Sequence, residues 1–339
     1  MGTEGGRPLL QTILESFEPL FYNKVRGLGL AGYASSKPYD GILYHYTTAQ
    51  GLHGILKDRE IFATHYNYLN DISELKHGLN YIIDRLSDDA LDSQLGLLEA
   101  KANTANFDAE KFKVLAVAKS IAKLVRVHLQ DNIHVGVFVT SFCKRGNLLN
   151  QWRCYGGSGG YSIGFRFSKQ NFMYGDDEKC GAELHGLLYK ASEQKVLVDA
   201  FFSALMEILG VIVDPHIDVD RDFLKGLVPF IPDLCACLVV CCTWMKHSSF
   251  RSEREMRLST VRSFVGDRYR ADDIHFRQSG GLNVPYLKIP IRDDYAKIVS
   301  VRCGPTLQKD KAKQSVEMML KRYSHENVKV TSSAIPLGW

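Results

Sequence analysis

Residues 42–56 read ILYHYTTAQGLHGIL, and the reading of this stretch decides the fold. Ile42 to Tyr46 is β-prone and stops at Thr47-Thr48, which can cap a helix carrying Leu52, Ile55 and Leu56. A second short strand, Ile61 to His65, follows at once. Asn70-Asp71-Ile72-Ser73-Glu74 then has the form of a capping box ahead of Leu75, Leu79, Ile82 and Leu86. The order strand, helix, strand, helix predicts a mixed chain in which His45 sits inside an otherwise apolar strand.

Working outward, Leu9, Leu10, Ile13, Leu14, Phe17, Leu20 and Phe21 recur at three- and four-residue spacing and predict an amphipathic helix within residues 1–36. The remainder, 37–339, reads as one α+β domain with helical insertions at about 90–130 and about 193–247, the latter as two helices at about 193–213 and 221–247. Strands are expected at Val135 to Phe142, Gly160 to Phe167, Leu187 to Lys190, Glu255 to Val261, Val284 to Ile291, Ile298 to Arg302 and Val328 to Thr331. A last helix is expected at about 309–322. The connection CKRGNLLNQWRCYGGSG (143–159) is polar and Gly-rich; the stretch Gly156-Gly157-Ser158-Gly159-Gly160 lacks the Lys-Ser/Thr of a P-loop and leads into a strand, so that stretch reads as a flexible hairpin connection.

Composition narrows the class. With 45% apolar and 24% charged residues, the chain can bury a large core and shows no signature of disorder. The longest apolar run, Leu234 to Met245, falls short of the roughly 20 residues that cross a bilayer, so no membrane association is expected. The opening MGTEGGRPLL shows no apolar segment with a small-residue cleavage site, and a cytosolic location is expected. Cys235, Cys237, Cys241 and Cys242 crowd one predicted helix without C-x-x-C or His-ladder spacing, so reduced core thiols are expected and no metal site. A net charge of +4 permits a nucleic-acid partner without requiring one.

Three segments place polar groups where burial demands a partner or a ligand: Tyr44-His45-Tyr46-Thr47, Gln151 to Gly156, and Phe250-Arg251-Ser252-Glu253-Arg254-Glu255-Met256-Arg257. In an extended strand residues two apart share a face, so Glu253, Glu255 and Arg257 can enter one cleft. Each segment also has a plainer reading as core histidine, covering tryptophan or solvated strand. Lys144, Arg145, Arg153 and Arg166 lie near Trp152 and Tyr155, a mixture suited to stacking bases and binding phosphates, with a solvated loop as the plainer reading.

The motifs Y-H-Y-T with G-L-x-x-I-L (Tyr44 to Leu56), L-N-D-x-x-E (Leu69 to Glu74), Ser141-Phe142, Q-W-R-x-Y-G…I-G-F (Gln151 to Phe165), F-x-x-E-x-E-x-R (Phe250 to Arg257) and V-x-x-G-P (Val301 to Pro305) resemble a large bacterial family described as a domain of unknown function. The first block also resembles the opening of ADP-ribosyltransferase folds, including DNA-modifying toxins and RNA phosphotransferases. That resemblance implies a split β core that binds NAD and breaks its nicotinamide–ribose bond. It implies His45 on the adenosine ribose, a tyrosine stacked on nicotinamide, and a glutamate on the nicotinamide ribose. Glu253-Arg254-Glu255 resembles the E-x-E signature, which implies Glu255 as the catalytic acid and Glu253 as the residue that positions the acceptor.

Tyr66, Tyr68, Tyr155 and Tyr161 all lie near the motifs; Tyr68 is favoured because it precedes the L-N-D turn, with Thr47 and Asn70 as further cofactor contacts. Asn70 and Asp71 can equally be a helix cap. Arg257 would anchor the carboxylates or the NAD diphosphate, and Trp152, Arg153 and Tyr155 would meet the acceptor. The implied function is ADP-ribose transfer to nucleic acid or protein, as a toxin or phage-defence effector with a neutralising antitoxin partner. The rival is a non-catalytic nucleotide- or RNA-binding module on the same fold.

Overall fold

The computed structural model describes residues 20, 39–69, 72–87, 109–130, 136–156, 159–169, 171–174, 180–212, 231–262 and 273–336. The N-terminal extension apart from Leu20, together with Asn70 and Asp71, lies outside them. The chain is mixed α and β, with a largely antiparallel open sheet and several helices.

β1 (Ile42–Thr47) leads into α1 (Ala49–Asp58), whose first turn is capped by Thr48: its Oγ1 accepts from Gly51 N at 3.2 Å. Arg59, in the left-handed conformation at φ 52, ends the helix and turns the chain into β2 (Glu60–His65). α2 (Ile72–Arg85) and α3 (Ala109–Gln130) follow, the latter within the span expected as a helical insertion. β3 (Gly136–Cys143) and β4 (Tyr161–Phe167) correspond to the strands expected at Val135 to Phe142 and Gly160 to Phe167. β5 (Asn171–Tyr174) and β6 (Cys180–Gly186) form a hairpin pairing that the sequence reading missed. The strand expected at Leu187 to Lys190 is not formed: β6 ends at Gly186, and Leu188 makes only an isolated bridge to Met245.

The second insertion contains α4 (Ala191–Ile212) and α5 (Ile231–Thr243). β7 (Glu255–Arg262), β8 (His275–Ser279), β9 (Leu282–Pro290), β10 (Ala296–Cys303), α6 (Lys309–Arg322) and β11 (Lys329–Ser332) complete the chain. β8 was not foreseen. Its hairpin turns on Gly280 and Gly281, both at positive φ (56 and 78), the geometry of a two-residue primed turn.

Alternation along β3 divides the core. Val137 and Val139 face a helical layer built from α2, α3, α4 and α5, with Phe201, Leu238 and Trp244 at its centre. Phe138 and Phe142 face the opposite side, where Leu52, Leu56, Phe165 and Leu287 form a second core closed by α6. Cys235, Cys241 and Cys242 are buried free thiols in the helical layer, as the density of cysteines on one apolar helix predicts. Among the described residues, no helix is long and apolar enough to cross a membrane.

One strand organises the sheet. β7 runs along the whole of one edge of β3, from Gly136↔Arg262 to Cys143↔Glu255. The other edge is shared. Near its start Phe138 and Val139 pair with His65 and Thr64 of β2, while at its end Cys143 pairs with Tyr44 of β1. Between these pairings β1 and β2 part, and the sheet splits.

Candidate active site

His45 sits where the strands part. It is aligned with Ile163 of β4 on one side, and on the other its ring lies 5.8 Å from that of Phe142 and turns back to Ser141, with Nδ1 3.1 Å from the Ser141 carbonyl oxygen. A carbonyl can only accept, so Nδ1 carries the proton. Burial lowers the pKa of the ring; the Ser141 bond opposes this, and the positive charge of Arg277 adds to it. The imidazole is therefore neutral at pH 7, and Nε2 is left as an acceptor with no protein partner among the described residues.

Arg277 comes from β8 across the parting. Its Nη2 donates to Thr64 Oγ1 at 3.1 Å, and the residue is exposed. No carboxylate neutralises it among the described residues. Sequence reasoning missed it because β8 was missed; the Ser279-Gly280-Gly281-Leu282 turn between two β-prone runs was the available signal.

The glutamates belong to a second arrangement at the start of β7, two strands from β1. Strand spacings of about 4.8 Å put the backbones of β1 and β7 roughly 10 Å apart across β3. Glu255 is aligned with Cys143 and Arg257 with Ser141, so both project toward the helical layer, out of phase with Phe142 and with His45 beside it. Glu253 is not in the strand. It ends a 3-10 turn, Ser248–Glu253, and Arg254 at φ 47 reverses the backbone before β7. The two carboxylates still meet, by this turn and not by strand alternation as the sequence suggested, because both bind Lys246. Nζ of Lys246 lies 2.7 Å from Glu253 Oε2 and 2.6 Å from Glu255 Oε2.

Arg257 completes the set: Nε donates to Glu255 Oε1 at 2.8 Å and Nη1 to the Thr243 carbonyl at 2.9 Å. Of its two expected tasks the structure gives Arg257 the anchoring of a carboxylate. Both oxygens of Glu255 are thus engaged, and its side chain is only 5% exposed, against 18% for Glu253. Burial pushes the Glu255 carboxyl up, but Arg257 and then Lys246 outweigh it and hold its pKa at about 2. Tyr189, also unforeseen, accepts from Glu255 N at 3.1 Å through its hydroxyl. Lys246 gave no spacing signal, being a single lysine at the end of an apolar run.

The remaining expected residues are dispersed. Thr47 ends β1 against the first turn of α1, where a Cβ on Gly51 would collide with its Oγ1. Tyr68 ends the turn Tyr66–Tyr68, is 40% exposed and stands edge-on to His65 at 5.7 Å. Tyr66 and Tyr161 are buried in the two cores, which leaves Tyr68 and Tyr155 as the exposed rings among the four tyrosines considered.

Part of the 143–159 connection, to which the sequence reading assigned no element, is helical. It folds as a short helix, Leu149–Gln151, that continues as a π turn over Trp152–Gly156. Trp152 is 1% exposed, stacks edge-on against Tyr46 at 4.7 Å and donates from Nε1 to Asn147 Oδ1 at 3.0 Å. Its indole is a core group and cannot stack on an acceptor; Arg153 and Tyr155 on the same turn are exposed. Comparison of the chain with protein-family models, curated proteins and solved structures finds no match.

Proposed function

We propose that the chain is an NAD-dependent ADP-ribosyltransferase whose substrate spans the parting between β1 and β2. The observation that supports this reading most directly is His45: a neutral imidazole, fixed through Nδ1–H, with an acceptor at the split that has no protein partner among the described residues. Such an acceptor suits a ribose hydroxyl, as the resemblance of the Y-H-Y-T block implies. Arg277, exposed and without a carboxylate partner among the described residues, supplies positive charge for the diphosphate. Tyr68, one of the two exposed rings among the four tyrosines considered, takes the nicotinamide.

In the reaction the bond between the ribose C1′ and the nicotinamide nitrogen breaks, and its electron pair leaves with neutral nicotinamide. Positive charge develops on the ribose, and a fixed carboxylate stabilises it. An acceptor nucleophile then bonds to C1′ and gives up its proton. Both oxygens of Glu255 are held by cations, so Glu253, with one oxygen on Lys246 and greater exposure, is the carboxylate placed to meet the ribose. The acceptor approaches over Arg153 and Tyr155, and a nucleic acid fits their chemistry.

The test is release of labelled nicotinamide from NAD by the purified protein. His45→Ala is expected to weaken NAD binding about tenfold, the value of one hydrogen bond at a ribose hydroxyl, with an unchanged melting temperature. A lower melting temperature with normal binding would make His45 a structural residue. NAD binding without any nicotinamide release would instead favour the non-catalytic module. Replacing Arg153 and Tyr155 together by Ala should spare NAD hydrolysis, reduce transfer to nucleic acid and flatten the salt dependence of acceptor binding. An unchanged transfer rate and salt slope would return this turn to ordinary surface.

A further inference from the structure

Lys246 is held with unusual completeness for a lysine. It follows α5 in a short segment that bridges to Leu188: its N–H donates to the Leu188 carbonyl at 3.1 Å, and its own carbonyl accepts from Gln194 Nε2 at 3.3 Å. Gln194 Nε2 also donates to Leu188 O at 2.9 Å, so one buried amide fixes both sides of the bridge. From this base the side chain extends to a terminal ammonium 5.0 Å from the centre of the Phe250 ring and in contact with Glu253 and Glu255. Only 6% of the side chain is exposed.

A compact ammonium can touch two carboxylates at once, where a planar guanidinium would favour bidentate pairing with one. We propose that Lys246 is a positioning residue for the reaction: it grips both carboxylates, so that the fixed Glu255 locates Glu253. This rests on the transferase reading above. The groups facing the pair are Arg257 and Glu255 on β7, the buried His185 on β6 aligned with Arg257, the Cys143 thiol on β3, the Tyr189 hydroxyl, and Glu253 on the turn. Lys246 and Arg257 are their cations, and Arg257 is bonded to Glu255 alone of the two acids. Removing Lys246 leaves two nearby carboxylates with one remaining cation, and like charges so placed cannot both stay ionised without cost. The site would take up a proton.

The test is the pH profile of kcat/KM for nicotinamide release in the full chain, between about pH 8 and about pH 5, where ordinary carboxylates stay ionised. The wild type should be flat toward the acid side. Lys246→Met should show an acid limb raised by roughly one to three pH units, as for partly buried carboxylates that lose a cation. Lys246→Arg should keep the limb at the wild-type position even if turnover falls. Lys246→Gln repeats the measurement where the Met variant does not fold. An unmoved limb in an active, folded, uncharged variant overturns the proposal. Failure of both uncharged variants to fold while Lys246→Arg folds and reacts normally also overturns it, since the lysine would then serve stability alone. Absence of nicotinamide release from the wild type overturns the transferase reading itself, a different result from release with an unmoved limb.

Discussion

Glu253→Gln should lower nicotinamide release by about 10²–10³-fold, equivalent to about 3–4 kcal/mol of transition-state stabilisation, as when one preorganised electrostatic contact is removed from an active site. The substitution keeps the size of the side chain and an oxygen to accept from Lys246, so the fold should survive with little change in melting temperature. NAD affinity should also change little, because the lost charge acts mainly on the cation that develops in the transition state. Glu255→Gln should behave differently. Its carboxylate is the buried counterion of both Lys246 and Arg257, so its loss should show first in stability and only through that in turnover. The E-x-E resemblance assigns the two acids the other way round. Nicotinamide release and melting temperature measured on both variants separate the assignments: full stability with abolished turnover in Glu255→Gln would return the catalytic role to Glu255.

Much of the scaffold was readable because its signals are local. The β-prone runs ILYHYT and YSIGFRF correspond to β1 and β4, and the last helix expected at about 309–322 is α6 at the boundaries observed. The parting of the sheet was not readable from those signals, since the partners of β3 lie on segments that no sequence window joins to it. Trp152 was misread for a related reason. It was expected to meet the acceptor, with cover of a hydrophobic edge as the plainer reading; Gly304 lies so close that a Cβ there would stand 3.0 Å from Trp152 Cε3, and its N–H donates to Gly160 O at 2.8 Å. These glycines admit a buried indole, and the Q-W-R and V-x-x-G-P motifs meet over it. The charged block at 250–257 was legible as a cluster, but not its counterion, because Lys246 reaches it only after α5 and the bridge to Leu188 have formed.

Arg257→Met should destabilise the protein by about 3–5 kcal/mol at pH 7, the usual cost of removing one partner of a buried ion pair. Met roughly fills the space, but Glu255 keeps only Lys246, and the Thr243 carbonyl loses its donor. The size of the effect should depend on pH, and the sign follows from Glu255. Its folded pKa is depressed to about 2, below the roughly 4.3 of a carboxyl in an unfolded chain. Between those values the unfolded state binds the extra proton, so stability from this group rises with pH there. It is fully present above the unfolded value and is lost as pH falls through about 2. Without Arg257, the larger of the two cationic influences, the folded pKa moves up toward the unfolded one and the slope flattens. Urea denaturation of the two proteins should therefore give a stability gap that is widest near neutral pH and narrows as pH falls below about 4. A gap of the same size at every pH would mean that Arg257 stabilises through packing and the Thr243 bond, and that the charge on Glu255 does not depend on it.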